Sequence, residues 1–169
     1  VICMERTNVR YLTAEQIAEP LDFGSVDVSF ISLKLILPAL RGLLKPQGQV
    51  VCLVKPQFEA GRERVGKKGV VRDPEVHLEV LEQFLIHGSD AGFSVNDMDF
   101  SPIKGPEGNI EYLMFVQKSG EPSVSPMWGT SLHWLRGPML NSRGRFTRES
   151  SAQPEPIPGS GIESGIEGP

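Results

Sequence analysis

The sequence predicts an α/β fold built on a largely parallel sheet, and three observations carry that prediction. Short apolar runs alternate with helically periodic segments over the first two-thirds of the chain. One run, QVVCLVK, is apolar almost without a break, the pattern of a strand covered on both faces. PEVHLEVLEQFLIHGSDAGF carries a sustained helical stripe behind an aspartate cap.

Taken in order, VICM (Val1 to Met4) is a short strand candidate. TAEQ has the capping-box pattern, Thr13 followed three residues on by Gln16, and opens a short helix. SVDVSFIS, Ser25 to Ser32, is rich in Val, Phe and Ile and reads as a second strand. LKLILPALRGLLK repeats apolar residues on a helical period through Leu33, Ile36, Leu37, Leu40 and Leu44. Pro38 kinks that helix or restarts it, because proline in a helix interior removes a hydrogen bond whereas a first turn tolerates it. PQG makes a turn into the QVVCLVK strand, and FEAGRERVGKKGVVRDP is a long glycine-containing basic loop. Asp73 then caps the main helix, Pro74 sits in its first turn, and Val76, Leu78, Val80, Leu81, Phe84 and Leu85 form its apolar side. SVNDMDFSPI and NIEYLMFVQK are two closing strands joined by the tight KGPEG loop.

From Ser119 the composition shifts to Ser, Gly, Pro and Glu. Such a segment buries too little apolar surface to offset its chain entropy. The expected organisation is a folded domain over 1–118 and a disordered tail over 119–169. Within the tail, PMWGTSLHWLRGPML reads either as a short binding motif or as incidental aromatics of an extension.

A chain of 169 residues suits one domain, and a net charge of -4 argues against a general nucleic-acid coat while leaving room for a local basic patch. Cys3 and Cys52 lie in apolar runs and share no metal spacing with a histidine, so both are expected as buried reduced thiols and no metal site is expected. No apolar segment approaches the roughly 18 residues of a membrane span. No signal peptide opens the chain either, so a soluble cytoplasmic protein with no membrane partner is expected. The chain opens inside a strand-like run without an initiator methionine, as a piece of a longer protein would.

Asp27 in VDVSF, Lys55 in VKPQFE and Glu111 in NIEYLMF each interrupt or end an apolar strand. In parallel sheets ligands collect at the carboxyl ends of strands, where Asp27 and Lys55 fall. Each residue also has a plain structural reading. Asp27 caps the next segment of the chain, Lys55 snorkels past the sheet edge, and Glu111 faces solvent.

The words around these residues are more specific. ERTNVR, VDVSFISL, LVKPQFEAGRERVGKKGVVRDP and GNIEYLMF occur in that order. Over Val1 to Val116 the sequence resembles the TlyA (haemolysin A) family of ribosomal RNA methyltransferases, which share the FtsJ-like fold. The resemblance implies methyl transfer from S-adenosyl-L-methionine to a ribose 2′-hydroxyl, typically of a cytidine, with ribosomal RNA or a ribosomal subunit as partner. Relatives use a Lys-Asp-Lys-Glu set, which carries over here as Asp27, Lys55 and Glu111. Lys55 would face the hydroxyl as base or orienting donor, Asp27 would lie near the transferring methyl, and Glu111 would orient Lys55. An ordinary lysine, with a pKa of about 10.4, is protonated at neutral pH, so in-line positioning carries much of the rate.

ERTN comes directly after the first strand, where this fold contacts the adenine end of the cofactor. Thr7 and Asn8 are therefore cofactor candidates with Asp27, the alternative being a strand end and turn. Arg62, Arg64, Lys67, Lys68 and Arg72 suit RNA phosphates, and Phe58 suits stacking on a base. A solvated loop is the competing reading. His77, His87 and His133 show no ligand or triad spacing.

The family's N-terminal S4 RNA-binding domain, the first lysine of the set and the glycine-rich cofactor loop would all precede Val1. The family's sheet has strand order 3-2-1-4-5-7-6, so the chain is expected to hold a partial Rossmann-like class I methyltransferase sheet lacking its first two strands. VICM is then expected to slide across and pair with the SVDVSF strand, giving 3-4-5-7-6, or else to hang free. Two functions are open: rRNA 2′-O-methylation by the full-length parent, or a truncated inactive product with weak RNA binding. The haemolysin name suggests a pore, against which stands the lack of a membrane span or basic amphipathic helix.

Overall fold

The computed structural model describes residues 2–119. The expected disordered tail, its tryptophan segment and His133 lie outside the described residues, apart from Ser119 at the boundary.

Four strands form one sheet, β1 (Leu21–Val26), β2 (Leu44–Val54), β3 (Phe93–Phe100) and β4 (Tyr112–Lys118), in the order β1-β2-β4-β3. β1 and β2 run parallel, while β2 with β4 and β4 with β3 run antiparallel. β1, β2 and β3 therefore run the same way and β4 alone opposes them, so the expected largely parallel sheet carries one reversed strand. The cause is local: β3 and β4 are joined by the short segment 101–111, too short for the crossover a parallel pair needs. In the family's strand numbers the observed order is 4-5-7-6.

The VICM expectation is corrected. Ile2 to Met4 form no strand, Ile2 is 80% exposed and Cys3 is exposed rather than buried. Arg6 takes a positive φ of 54° just after this stretch, turning the chain away from an extended run. The second strand also begins earlier than expected and ends at Val26 rather than Ser32. Its pairing stops at Val26 opposite Cys52, and Phe30, at φ 63°, bends the segment beyond.

Helix α1 (Leu37–Leu43) starts as its proline predicts, with Pro38 in the first turn after a 3-10 turn at Leu33–Leu35. Instead of a free turn, PQG is a bulge within β2. The β1–β2 register jumps between Leu21 and Phe23, and Gln47 has a φ of 65°. The capping box at Thr13 is present on a 3-10 turn, Ala14–Gln16, rather than on a full helix.

A short helix, α2 (Pro56–Glu59), succeeds β2, and helix α3 (Pro74–Asp90) is the main layer over the sheet. Asp73 accepts from the Glu75 amide, and Val76, Leu78, Val80, Leu81, Phe84 and Leu85 are buried as their spacing predicts. Beneath lie Val50, Cys52 and Val54 of β2 with Tyr112, Met114 and Val116 of β4, paired directly across the strands. Each fully buried side chain of this size contributes about 1.5–3 kcal/mol before chain entropy is subtracted. Val51 and Leu53 on the other face are only half-buried, so β2 is covered fully on one face and not on both. Gly92 comes after α3 at a φ of 76°, and Ser119 donates its amide to the Gly92 carbonyl at 3.1 Å, which ties the end of β4 to the end of that helix.

Candidate active site

The mixed sheet brings three predicted residues to one end. Asp27 directly follows β1 and Lys55 directly follows β2, so both leave the parallel pair at its carboxyl end. Because β4 runs antiparallel to β2, its start lies at that same end. Val54 pairs with Tyr112, and Lys55 and Glu111 occupy the next positions of the two strands. The sheet itself, rather than a long loop, gathers them.

Lys55 Nζ donates to Asp27 Oδ1 at 2.5 Å and lies 3.4 Å from Ser29 Oγ. The lysine side chain is 12% exposed and that of the aspartate 70%, so the ammonium is sheltered while the carboxylate faces solvent. Glu111 is buried at 6% exposure and accepts from Gln57 Nε2 at 3.0 Å. A side chain added at Gly105 would overlap its Oε1, so the KGPEG loop packs directly on this carboxylate.

The turn after Lys55 is the helix α2, started by Pro56. Each of its polar and aromatic side chains reaches a different neighbour. Gln57 meets Glu111, and Phe58 contacts Phe30 with ring centroids 4.9 Å apart. Glu59 accepts from Ser32 Oγ at 2.6 Å and from the Leu33 amide at 2.8 Å. Phe30, Gln57, Phe58, Gly61 and Arg62 line a cavity of about 460 Å³ beside this turn.

The basic loop divides in two. Arg62 lines the cavity, whereas Arg64 turns to an ion pair with Glu79 of α3. Lys67, Lys68 and Arg72 are exposed. Val70 and Val71 are buried, and Asn109 holds the loop from below, donating to Gly69 O at 2.9 Å and accepting from the Val71 amide at 3.3 Å. The loop is therefore anchored as well as solvated.

His77 joins this anchor. Its Nε2 donates to the Val71 carbonyl at 3.0 Å, which leaves Nδ1 to accept from the Tyr112 hydroxyl at 2.9 Å. Burial pushes the His77 pKa below the ordinary 6.5, opposed by the Val71 carbonyl and Asp73. It also raises that of Tyr112. The Cys52 thiol is pushed up to about 12 by burial and then by the charge of Glu59.

Thr7 and Asn8 make local hydrogen bonds. Thr7 Oγ1 donates to Glu5 O at 3.2 Å, and Asn8 Oδ1 accepts from the Arg10 amide at 3.1 Å as the cap of a 3-10 turn. Sequence reasoning singles out neither Gln57 nor Glu59, although both stand in the KPQFE motif, and it gives no role to Phe30, Asn109 or His77. Among the described residues no helix is long and apolar enough to cross a membrane.

Residues 1–118 match the FtsJ-like methyltransferase family. A Bacillus subtilis protein named as an rRNA methyltransferase, YqxC, is 52% identical over 122 residues, 72% of this chain and 43% of that protein. The 16S/23S rRNA (cytidine-2′-O)-methyltransferase TlyA of Mycobacterium tuberculosis is 38% identical over 125 residues, 74% of this chain and 47% of its own. The crystal structure of a hemolysin-named protein from Lactococcus lactis superposes with a TM-score of 0.73 at 43% identity, covering 79% of this chain and 65% of that one. The chain thus spans about half the length of the curated relatives it matches. Its sheet order, the gathered strand ends and these matches agree, and the chain belongs to the FtsJ-like methyltransferase family.

Proposed function

We propose that the protein carries the catalytic end of an rRNA ribose 2′-O-methyltransferase acting with S-adenosyl-L-methionine, with cytidine as the target nucleoside. The observation that carries this reading is the Lys55–Asp27 pair at 2.5 Å, set at adjacent strand ends with Glu111 in register beside Lys55. The family supplies the activity class, and the activity as a whole belongs to the longer parent.

The residues present fit one side of such a cofactor. Asp27 offers an exposed carboxylate at the strand end where a sulfonium cation would be accommodated electrostatically. Thr7 and Asn8, bonded locally, would supply their remaining polar atoms to its adenine end. When bound, S-adenosyl-L-methionine supplies the electrophilic methyl group.

The chain's own residues then position the nucleophile. The Lys55 ammonium, held by Asp27, donates to the ribose hydroxyl oxygen and fixes its line of approach. The hydroxyl proton passes to solvent as the methyl is transferred, or to Lys55 in its neutral amine form. Glu111, buried beside it, sets the field at that end of the sheet. Phe58 stacks on a base, and Arg62 with Lys67, Lys68 and Arg72 meets backbone phosphates. Arg64, engaged by Glu79, contributes to RNA only after leaving that pair.

The test is Lys55→Ala in the complete parent, assayed for methyl transfer to ribosomal subunits together with calorimetric cofactor binding. Loss of transfer with binding retained supports the reading, and persistent transfer removes Lys55 from the mechanism. Calorimetry on the 169-residue chain beside an upstream-extended form reports whether this portion holds cofactor by itself.

A further inference from the structure

We infer that Glu59 is a positioning residue that presents Asp27 and Lys55 to each other as a preformed pair. This rests on the reading of that pair as the reacting end of the site.

The segment from Asp27 to Ser32 leaves β1 without regular structure and passes through Phe30 at a φ of 63°. It meets α2 and the residue before it at three places, the middle one being the ring contact of Phe30 with Phe58. At its near end Asp27 meets Lys55, the residue before α2. At its far end both oxygens of Glu59, the last residue of α2, are engaged, one by the Ser32 hydroxyl at 2.6 Å and the other by the Leu33 amide at 2.8 Å. Charge-assisted hydrogen bonds to a part-buried carboxylate are strong and directional, whereas an ion pair with one exposed partner holds its geometry weakly. The far attachment therefore sets where Asp27 can lie, and the near one is its consequence. Ser32 also accepts from the Lys34 amide at 3.2 Å, so the same serine starts the 3-10 turn that leads into α1. Glu59 thereby fixes the loop from its rigid side.

A second ion pair across the same two strands gives an internal control. Lys45 meets Asp22 at 2.7 Å, in the preceding part of β2 and β1 and outside the Glu59 contacts. The experiment acetylates the folded 169-residue chain with an amine-reactive ester and reads each lysine by peptide mass spectrometry. In Glu59→Ala the Lys55 rate is expected to rise roughly threefold or more, with Lys45 unchanged, because only the segment around Asp27 is released. Glu59→Gln keeps an acceptor for one of the two donors and should fall nearer the wild type. A merely structural role would raise Lys55 and Lys45 together, and that result, or no change at Lys55, overturns the proposal. Should Glu59→Ala not fold, Ser32→Ala removes one of the two bonds from the opposite side. A rise confined to Lys55 is again expected, and its absence is again fatal. Labelling reads geometry alone, so it fails or succeeds independently of the methylation assay in the parent.

Discussion

Gln57 holds the buried Glu111 carboxylate through a 3.0 Å hydrogen bond, so the turn after one predicted catalytic residue secures another. Gln57→Leu removes this donor from a carboxylate that is 6% exposed. The variant is expected to lose about 1–3 kcal/mol of stability, the usual cost of depriving a buried polar group of its partner. Urea denaturation of the isolated chain measures it. Gly105→Ala should perturb the same carboxylate by overlap rather than by loss of a bond.

Asn109→Ala cuts the bonds to Gly69, Pro106 and Val71 that pin the basic loop. Stability should fall by about 3 kcal/mol at roughly 1 kcal/mol for each of the three bonds. Trypsin should also cut faster at Lys67, Lys68 and Arg72, which are already exposed, since cleavage requires the loop to open. Unchanged proteolysis would mean that buried Val70 and Val71 hold the loop without Asn109.

His77 gives the fold a pH dependence of definite sign. Its folded pKa lies below the ordinary 6.5, so between the two values the unfolded chain binds the proton more readily. The stability associated with neutral His77 is complete above 6.5 and is lost as pH falls through that value toward the lower folded pKa. Denaturation midpoints should therefore drop as pH is lowered below 6.5, and the drop should shrink in His77→Gln. An equal drop in the variant would assign the effect to other groups.

The two thiols should separate cleanly. Cys3 is exposed, whereas Cys52 is buried with its pKa raised to about 12. An aromatic disulfide reagent at mildly alkaline pH is expected to titrate one thiol in the native chain and the second only on unfolding. Rapid reaction of both would show that β2 opens readily.

Periodicity makes the helices legible: Asp73, Pro74 and the stripe from Val76 to Leu85 define α3, and Pro38 marks the start of α1. The sheet is harder to read because pairing is not local. Nothing in NIEYLMF says that it runs antiparallel to QVVCLVK, yet that direction is what brings Glu111 beside Lys55. The VICM strand fails for the same reason, since an apolar tetrapeptide becomes a strand only with a neighbour to bond. At the site, Asp27 and Lys55 stand out as charges ending apolar runs, and the structure pairs them. Gln57, Glu59 and Asn109 do not stand out, because polar residues in turns are ordinarily solvated and only their partners distinguish them.

The five residues from Lys55 to Glu59 each address a different part of the surrounding fold, apart from the proline that sets their direction. Helical geometry advances each side chain by about 100° per residue, so these addresses are tied to count as much as to chemistry. Exchanging one side chain cancels one contact and leaves the others aimed. Inserting or deleting a single residue after Pro56 would rotate all those beyond it at once, separating amide from carboxylate, ring from ring and Glu59 from Ser32. KPQFE is therefore a segment whose length is under stronger constraint than the identity of any one of its letters.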